Sequence, residues 1–401
     1  MNRREALSLL PLSLGLSMLP QTKSMRSFKV DVPQDTLNRI LERVKKGRLP
    51  DRLDAPDWRY GANWSYIKSL VDYWVQRFDW KKAQANLNRY PQFLARVQDF
   101  DIHFYYVKGE GPRPLPLILT HGWPGSVFEF LEAIGPLSNP SKYGGSPEDA
   151  FDVVVPSIPG FGFSSKPTRP IGPPTTARLW HALMTDVLGY SRFGAQGGDW
   201  GNAITVALAR EFPRSVAGIH LSGTGSVAPS AAATDEERAW LQAAATYRTQ
   251  EVDYFNEQQH KPGTVAFALY DNPIGAAAWI VEKFKVWSDS GEDIESAFTK
   301  DQLLTNVMIY LVTDTIATAI WFYRGSLDDR GVPAQGKLET PTGFASFPAE
   351  MTVLNPPRSI LERNFNLVHY AKMPKGGHFA CLEQPKLFVE DVRSFFRKVR
   401  G

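Results

Sequence analysis

Apolar positions along the chain change their spacing three times, and each change marks a different kind of structure. Between Phe28 and about Phe100, Leu37, Ile40, Leu41 and Val44 recur at helical intervals, while Trp58, Trp64, Trp74 and Trp80 are spread through polar text. This spacing predicts a layer of helices packed on a larger core. From Asp101 the pattern becomes short apolar runs separated by helical stretches. Asp101–Val107, Leu115–Thr120, Phe151–Val155, Arg192–Ala195 and Val216–Leu221 read as strands, with Thr176–Leu188 and Asn202–Arg210 as intervening helices. Runs without polar alternation belong to strands buried on both faces, so a mostly parallel sheet covered by helices is expected, an α/β architecture. From Gly223 to about Gln335 the text is alanine-rich, charged and helical. Gly343–Phe347 and Leu367–Met373 return to strand-like runs, and Pro385–Val399 closes the chain as a helix. A helical insertion near the C-terminal ends of strands is well placed to cover a site there. The expected division is therefore a signal-like segment (1–26), an N-terminal helical module (27–100), a core (101–222 and 336–401) and a helical lid (223–335).

Composition narrows the function classes. The 401 residues are 43% hydrophobic with a formal charge of +3, and no block of like charge supports nucleic-acid binding. A single cysteine, Cys381, excludes an intramolecular disulfide and a cysteine-based zinc cluster. No HExxH, CxxC or GxxxxGK[ST] string occurs, so neither a metal nor a nucleotide cofactor is expected. At the N-terminus, Asn2-Arg3-Arg4 precedes an apolar run from Ala6 to Leu19 that is broken by Pro11. Such a run is shorter than the roughly 20 residues of a membrane span. It resembles a twin-arginine export signal, although no A-x-A cleavage site follows; export to the periplasm or beyond is the expectation, with the cytoplasm as the alternative.

Candidate chemistry sits in three loops. Gln196-Gly197-Gly198-Asp199-Trp200-Gly201 lies between a predicted strand and a predicted helix, the layout of a nucleophile elbow with aspartate in place of serine. Small neighbours suit its tight turn, and the following helix points its N-terminal N–H groups at the turn, favouring negative charge there. An N-capping aspartate in an ordinary glycine turn would look similar. No G-x-S-x-G string competes for the role. His121-Gly122-Trp123-Pro124-Gly125 follows the strand ending at Thr120, where this layout draws an oxyanion-hole N–H. The expected backbone donors are Trp123 and Trp200. Gly376-Gly377-His378-Phe379 follows the last predicted strand, and His378 alone of the seven histidines combines a late position, a glycine-rich loop and a preceding strand. It is the expected base. Glu350 precedes it, where an orienting carboxylate belongs; Glu383 is a rival but falls after the histidine. Asp314 and Asp328, in the helical insertion, read as solvated charges.

Taken together these motifs resemble the microsomal-type and juvenile-hormone-type epoxide hydrolases and their bacterial relatives, on the α/β-hydrolase fold. The resemblance spans nearly the whole chain from about Phe28. It rests on Arg77-Phe78-Asp79-Trp80 and Leu87-Asn88 in the N-terminal module, and on HGWPGS, PGFGFS, GGDWG, PTGFASFPAE and GGHFA in the core. It implies that Glu350 is the acid. It also implies two lid tyrosines that hold an epoxide oxygen: Tyr323 in Trp321-Phe322-Tyr323-Arg324, and Tyr254 ahead of Lys261-Pro262-Gly263-Thr264, with Tyr247 and Tyr270 as positions easily confused with it. The implied substrate is a lipophilic epoxide, the implied co-substrate is water, and no cofactor is required. Mammalian relatives carry a membrane anchor; the shorter, proline-broken run here does not imply a stable one. Two other readings fit an aspartate elbow: a haloalkane or haloacid dehalogenase, and a ligand-binding protein that kept the fold without turnover.

Overall fold

The computed structural model of the chain describes residues 25–53, 57–223, 232–332, 336–350 and 354–400. Residues 1–24 of the predicted export segment lie outside these residues, and its last two positions begin the first strand. Nine strands build one sheet: β1 Met25–Phe28, β2 Gln92–Val97, β3 Phe100–Val107, β4 Leu115–Thr120, β5 Phe151–Pro156, β6 Phe193–Gly198, β7 Val216–Ser222, β8 Leu338–Ser346 and β9 Phe365–Lys372. Their spatial order is β1-β2-β3-β5-β4-β6-β7-β8-β9. Every pairing from β5 to β9 is parallel, whereas β1, β2 and β3 join on antiparallel. All residues of β5 and β7 are buried, which is why their text shows no alternation.

The N-terminal region departs from the helical layer its spacing predicts, because it also contributes β1 and β2 to the sheet. β1 is a four-residue edge strand, and the burial of β2 breaks strict alternation, so neither leaves a period-two signal. β2 and β3 form a hairpin, so the expected boundary near residue 100 falls inside a paired unit.

Between β7 and β8 the described residues form six α-helices: Asp235–Gln250, Asp253–His260, Pro262–Leu269, Pro273–Val286, Lys300–Val312 and Ile316–Asp328. The N-terminal helix Gln34–Lys46 packs its buried Ile40 and Val44 beside two of them, Pro273–Val286 and Lys300–Val312. Arg43 pairs with Asp271 at 2.6 Å and Arg39 with Asp314 at 3.4 Å, while Tyr73 donates to Asp301 at 2.9 Å. The N-terminal module thus braces the insertion from outside. Asp328 pairs locally with Arg324. Among the described residues no single helix is long and apolar enough to cross a membrane.

Candidate active site

The turn after β6 carries the site's most constrained backbone. Asp199 adopts φ 51° and ψ −127° between β6 and the helix Trp200–Glu211, a conformation costing a non-glycine residue about 1–3 kcal/mol. Two glycines make the turn possible. A Cβ on Gly197 would lie 2.1 Å from the Gly201 carbonyl oxygen, and one on Gly201 would lie 2.0 Å from the Thr120 carbonyl oxygen. The elbow is therefore pressed directly onto the end of β4, and the side chain of Asp199 projects into the space above both strands.

Three predicted residues meet there. The backbone N–H of Trp123 donates to Asp199 Oδ1 at 2.8 Å, leaving Oδ2 3.4 Å from His378 Nε2. His378 Nδ1 lies 2.9 Å and 3.1 Å from the two oxygens of Glu350, so it donates to that carboxylate and Nε2 faces Asp199. Trp200, the first residue of the helix, makes no corresponding bond to the carboxylate. His378 and Glu350 are both buried. Burial works against a charged His378, but Glu350, then Asp199, outweigh it and hold the imidazole well above its usual range. The loops are tied together: Ala349 N–H donates to Gly376 O at 3.0 Å, and His378 N–H donates to Trp287 O at 2.8 Å.

Glu383 lies elsewhere in this network. Its carboxylate accepts from the backbone N–H groups of Asp289, Gly377 and Phe379 at 2.8–3.0 Å, clamping the histidine loop to the insertion. Burial pushes its pKa up to about 7 despite these donors.

The roof of the site is aromatic. Tyr254 stacks on Trp123 with ring centroids 5.6 Å apart, and Tyr323 meets Trp123 edge-on at 5.6 Å and Trp200 at 4.9 Å. The two tyrosine rings are 6.1 Å apart. Burial, with the nearby Asp199 charge adding to it, raises both hydroxyls well above their usual pKa. Tyr270 is exposed, and it is the ring of Tyr254, not of Tyr247, that lies on Trp123. The indole N–H groups of Trp123 and Trp200 are buried without an acceptor.

Four residues at the site carry no expectation from the sequence reading: Trp287, Lys283, Glu129 and Gln196. Trp287 touches both His378 and Tyr254, at ring distances of 5.1 and 5.2 Å. Buried Lys283 places Nζ 4.5 Å from the Tyr254 ring centre. A usable signal was present: Trp279, Lys283 and Trp287 recur at intervals of four, one cation between two indoles on a helix face. Glu129, a carboxylate inside the apolar run Val127–Leu131, offered a similar one.

The sheet, the elbow at the end of β6 and the late histidine loop define an α/β-hydrolase fold, and the family model for that fold matches residues 116–267. The chain belongs to the epoxide hydrolase family. The family model described as "Epoxide hydrolase N terminus" matches residues 25–130. Epoxide hydrolase 1 of Sus scrofa is 36% identical over 408 residues, covering 94% of this chain and 89% of that protein. In three dimensions the chain is similar to the juvenile hormone epoxide hydrolase of Bombyx mori, with a TM-score of 0.83, 29% identity and coverage of 94% and 95%. It is similar to the epoxide hydrolase of Aspergillus niger at a TM-score of 0.82, 28% identity and coverage of 94% and 97%.

Proposed function

We propose that the chain hydrolyses a lipophilic epoxide to a vicinal diol through an ester on Asp199. The observation that carries this reading is the position of one carboxylate between two sets of groups. Below it lies the His378–Glu350 pair; above it lie the half-buried ring of Tyr254 and the buried ring of Tyr323.

In the first half-reaction Asp199 Oδ2 attacks an epoxide carbon. The carbon–oxygen bond of the ring breaks, and the departing oxygen takes a proton from a lid tyrosine. An alkoxide is strongly basic, so such acid assistance is worth about 10²–10⁴-fold. Oδ1 stays against the Trp123 N–H throughout.

Ester formation removes the negative charge of Asp199. One of the two carboxylates that raise His378 is thereby lost, so the pKa of the imidazole falls at the stage that needs a base. In the second half-reaction His378 Nε2 takes a proton from water, whose oxygen bonds to Asp199 Cγ. Trp123 and Trp200 N–H groups stabilise the charge developing on Oδ1. The ester bond then breaks, the diol oxygen takes the proton from His378, and the carboxylic proton of Asp199 returns to the tyrosinate.

The test is the intact mass of His378→Gln after incubation with a lipophilic epoxide, with Asp199→Ala as control. A gain equal to the whole epoxide, absent from the control, is the expected result. A second reading draws on the two unpaired indole N–H groups, which could hold a departing halide as a dehalogenase does. A haloalkane that alkylates Asp199 when no epoxide does would favour it. The family membership and the paired tyrosines support the epoxide.

A further inference from the structure

Behind the Asp199 carboxylate, away from the tyrosines, lies a small cavity with about 20 Å³ of room, enough for one water molecule. Its polar lining comprises Thr120, Glu129, Gln196, Asp199, Ser222 and His378. Most of these are already engaged. Thr120 Oγ1 accepts from the Trp180 indole at 3.2 Å, and the Gln196 amide nitrogen reaches Ser222 Oγ at 3.5 Å. Gln196 Oε1 is different: the residue is 1% exposed, and this oxygen has no partner. A buried, unpaired acceptor on a residue that lines a water-sized space calls for a donor.

Glu129 supplies a second acceptor. Its carboxyl folds against Gly125, where a Cβ would lie 1.4 Å from Oε1, so the preceding loop must be glycine for this carboxyl to reach inward. Burial pushes its pKa up to about 8, with the His378 charge opposing and the Asp199 charge assisting. At neutral pH it is a neutral acid whose carbonyl oxygen can accept a hydrogen bond without adding a third negative charge beside Asp199 and Glu350.

The chemistry of the second half-reaction asks for such a place. Once the ester forms, the alkyl group fills the space between Asp199 and the lid tyrosines, so water must come from another side. An attacking water gives one hydrogen to the base, and it is aligned only if its other hydrogen has an acceptor. We propose that this cavity seats the water that hydrolyses the Asp199 ester, and that Glu129 and Gln196 are its positioning residues, accepting the hydrogen that His378 does not take. The proposal rests on the reading of Asp199 as an ester-forming nucleophile.

Single-turnover rates of ester formation and ester hydrolysis, followed by quenched intact-protein mass spectrometry with a lipophilic epoxide, test it. Glu129→Leu should slow hydrolysis by about 10²-fold, the loss typical of a misplaced reactant, and leave ester formation unchanged. The ester then accumulates in the steady state, and kcat and KM fall together. Glu129→Gln, which keeps a carbonyl acceptor, should restore most of the rate. Gln196→Met provides an independent variant and should also slow hydrolysis selectively. Unchanged hydrolysis in both Glu129→Leu and Gln196→Met, or an equal loss in both half-reactions, would overturn the proposal. Absence of any adduct on His378→Gln would instead overturn the nucleophile assignment, so the two failures are distinguishable.

Discussion

The floor and the roof of the site are held by different forces. On the floor, Asp199, Trp123, Glu350 and His378 stand on loops leaving β6, β4, β8 and β9, positioned by backbone contacts that tolerate almost no side chain. In the roof, Tyr254 and Tyr323 are placed by rings packing on rings, with few directional bonds. A backbone-built floor fixes an atom to a fraction of an ångström. A side-chain-built roof adapts to a substrate but depends on many modest contacts of about 0.5–1.5 kcal/mol each. The histidine loop is where the two meet, because Trp287 and Asp289 of the insertion bond to His378, Gly376 and Glu383.

The largest effect should come from the floor. Asp199→Ala is expected to lower diol formation by at least about 10⁴-fold, as removal of a nucleophile does. Asp199→Gly should be equally inactive yet more stable, by about 1 kcal/mol, since glycine accepts φ 51° without strain. Chemical denaturation of the two variants beside the wild type checks this. A glycine variant no more stable than the alanine variant would mean that the turn stores no strain.

Next comes a floor element remote from the chemistry. Asp391 on the last helix accepts from His220 of β7 at 2.8 Å and His369 of β9 at 2.7 Å. Burial alone would raise its pKa, but the two histidines hold it well below the usual carboxylate range. Its folded pKa is depressed, so its stabilisation is present above about pH 4, the unfolded value, and is lost as pH falls toward the folded one. Asp391→Asn should cost about 3 kcal/mol at pH 7. The difference from wild type in thermal unfolding should shrink below pH 4, while ester formation at 25 °C stays unchanged. A gap that does not shrink at all between pH 5 and about pH 2 would mean that packing, not the charge, is responsible.

The same contrast explains what could be read from the chain. Asp199 and His378 are legible because a backbone-built site leaves short, glycine-rich strings whose spacing is the geometry itself. Both glycines of GGDWG are required by contacts near 2 Å. The core strands β4 to β7 are legible because burial on both faces leaves uninterrupted apolar runs. β1 and β2 are not, since short strands at a sheet edge leave no periodicity and the surrounding tryptophans mimic helical text. Tyr254 and Tyr323 are not legible from spacing either. An aromatic on a lid helix looks the same whether it packs or donates a proton, and only the resemblance to a family singled these two out. Lys283 and Glu129 leave a local trace, a cation between two indoles and a carboxylate in an apolar run, but their partners, like those of Gln196, lie on segments distant in the chain, which no local pattern records.

In the roof, Tyr254→Phe and Tyr323→Phe should each slow ester formation by about 10²-fold, with unfolding free energies within about 0.5 kcal/mol of wild type. Rapid-quench mass spectrometry separates this from hydrolysis of the ester, which should be untouched. An equal slowing of both half-reactions by either variant would show that the tyrosine shapes the site without acting as an acid.

The smallest effect is the most specific to the roof. Lys283 is buried, pairs with Glu282 at 2.6 Å, and sets its ammonium 4.5 Å from the Tyr254 ring centre and 5.7 Å from that of Trp287. A desolvated cation over an aromatic face is worth about 1–2 kcal/mol. Its expected role is to keep the Tyr254 ring in place against Trp123. Lys283→Met keeps the apolar stem and removes the charge, so ester formation should fall about 5-fold to 30-fold, the same energy expressed as a rate. If the lysine acts through Tyr254, combining it with Tyr254→Phe should add little to the loss from Tyr254→Phe alone. Fully multiplicative losses in that double-mutant cycle would separate the two residues and leave the cation with a role of its own.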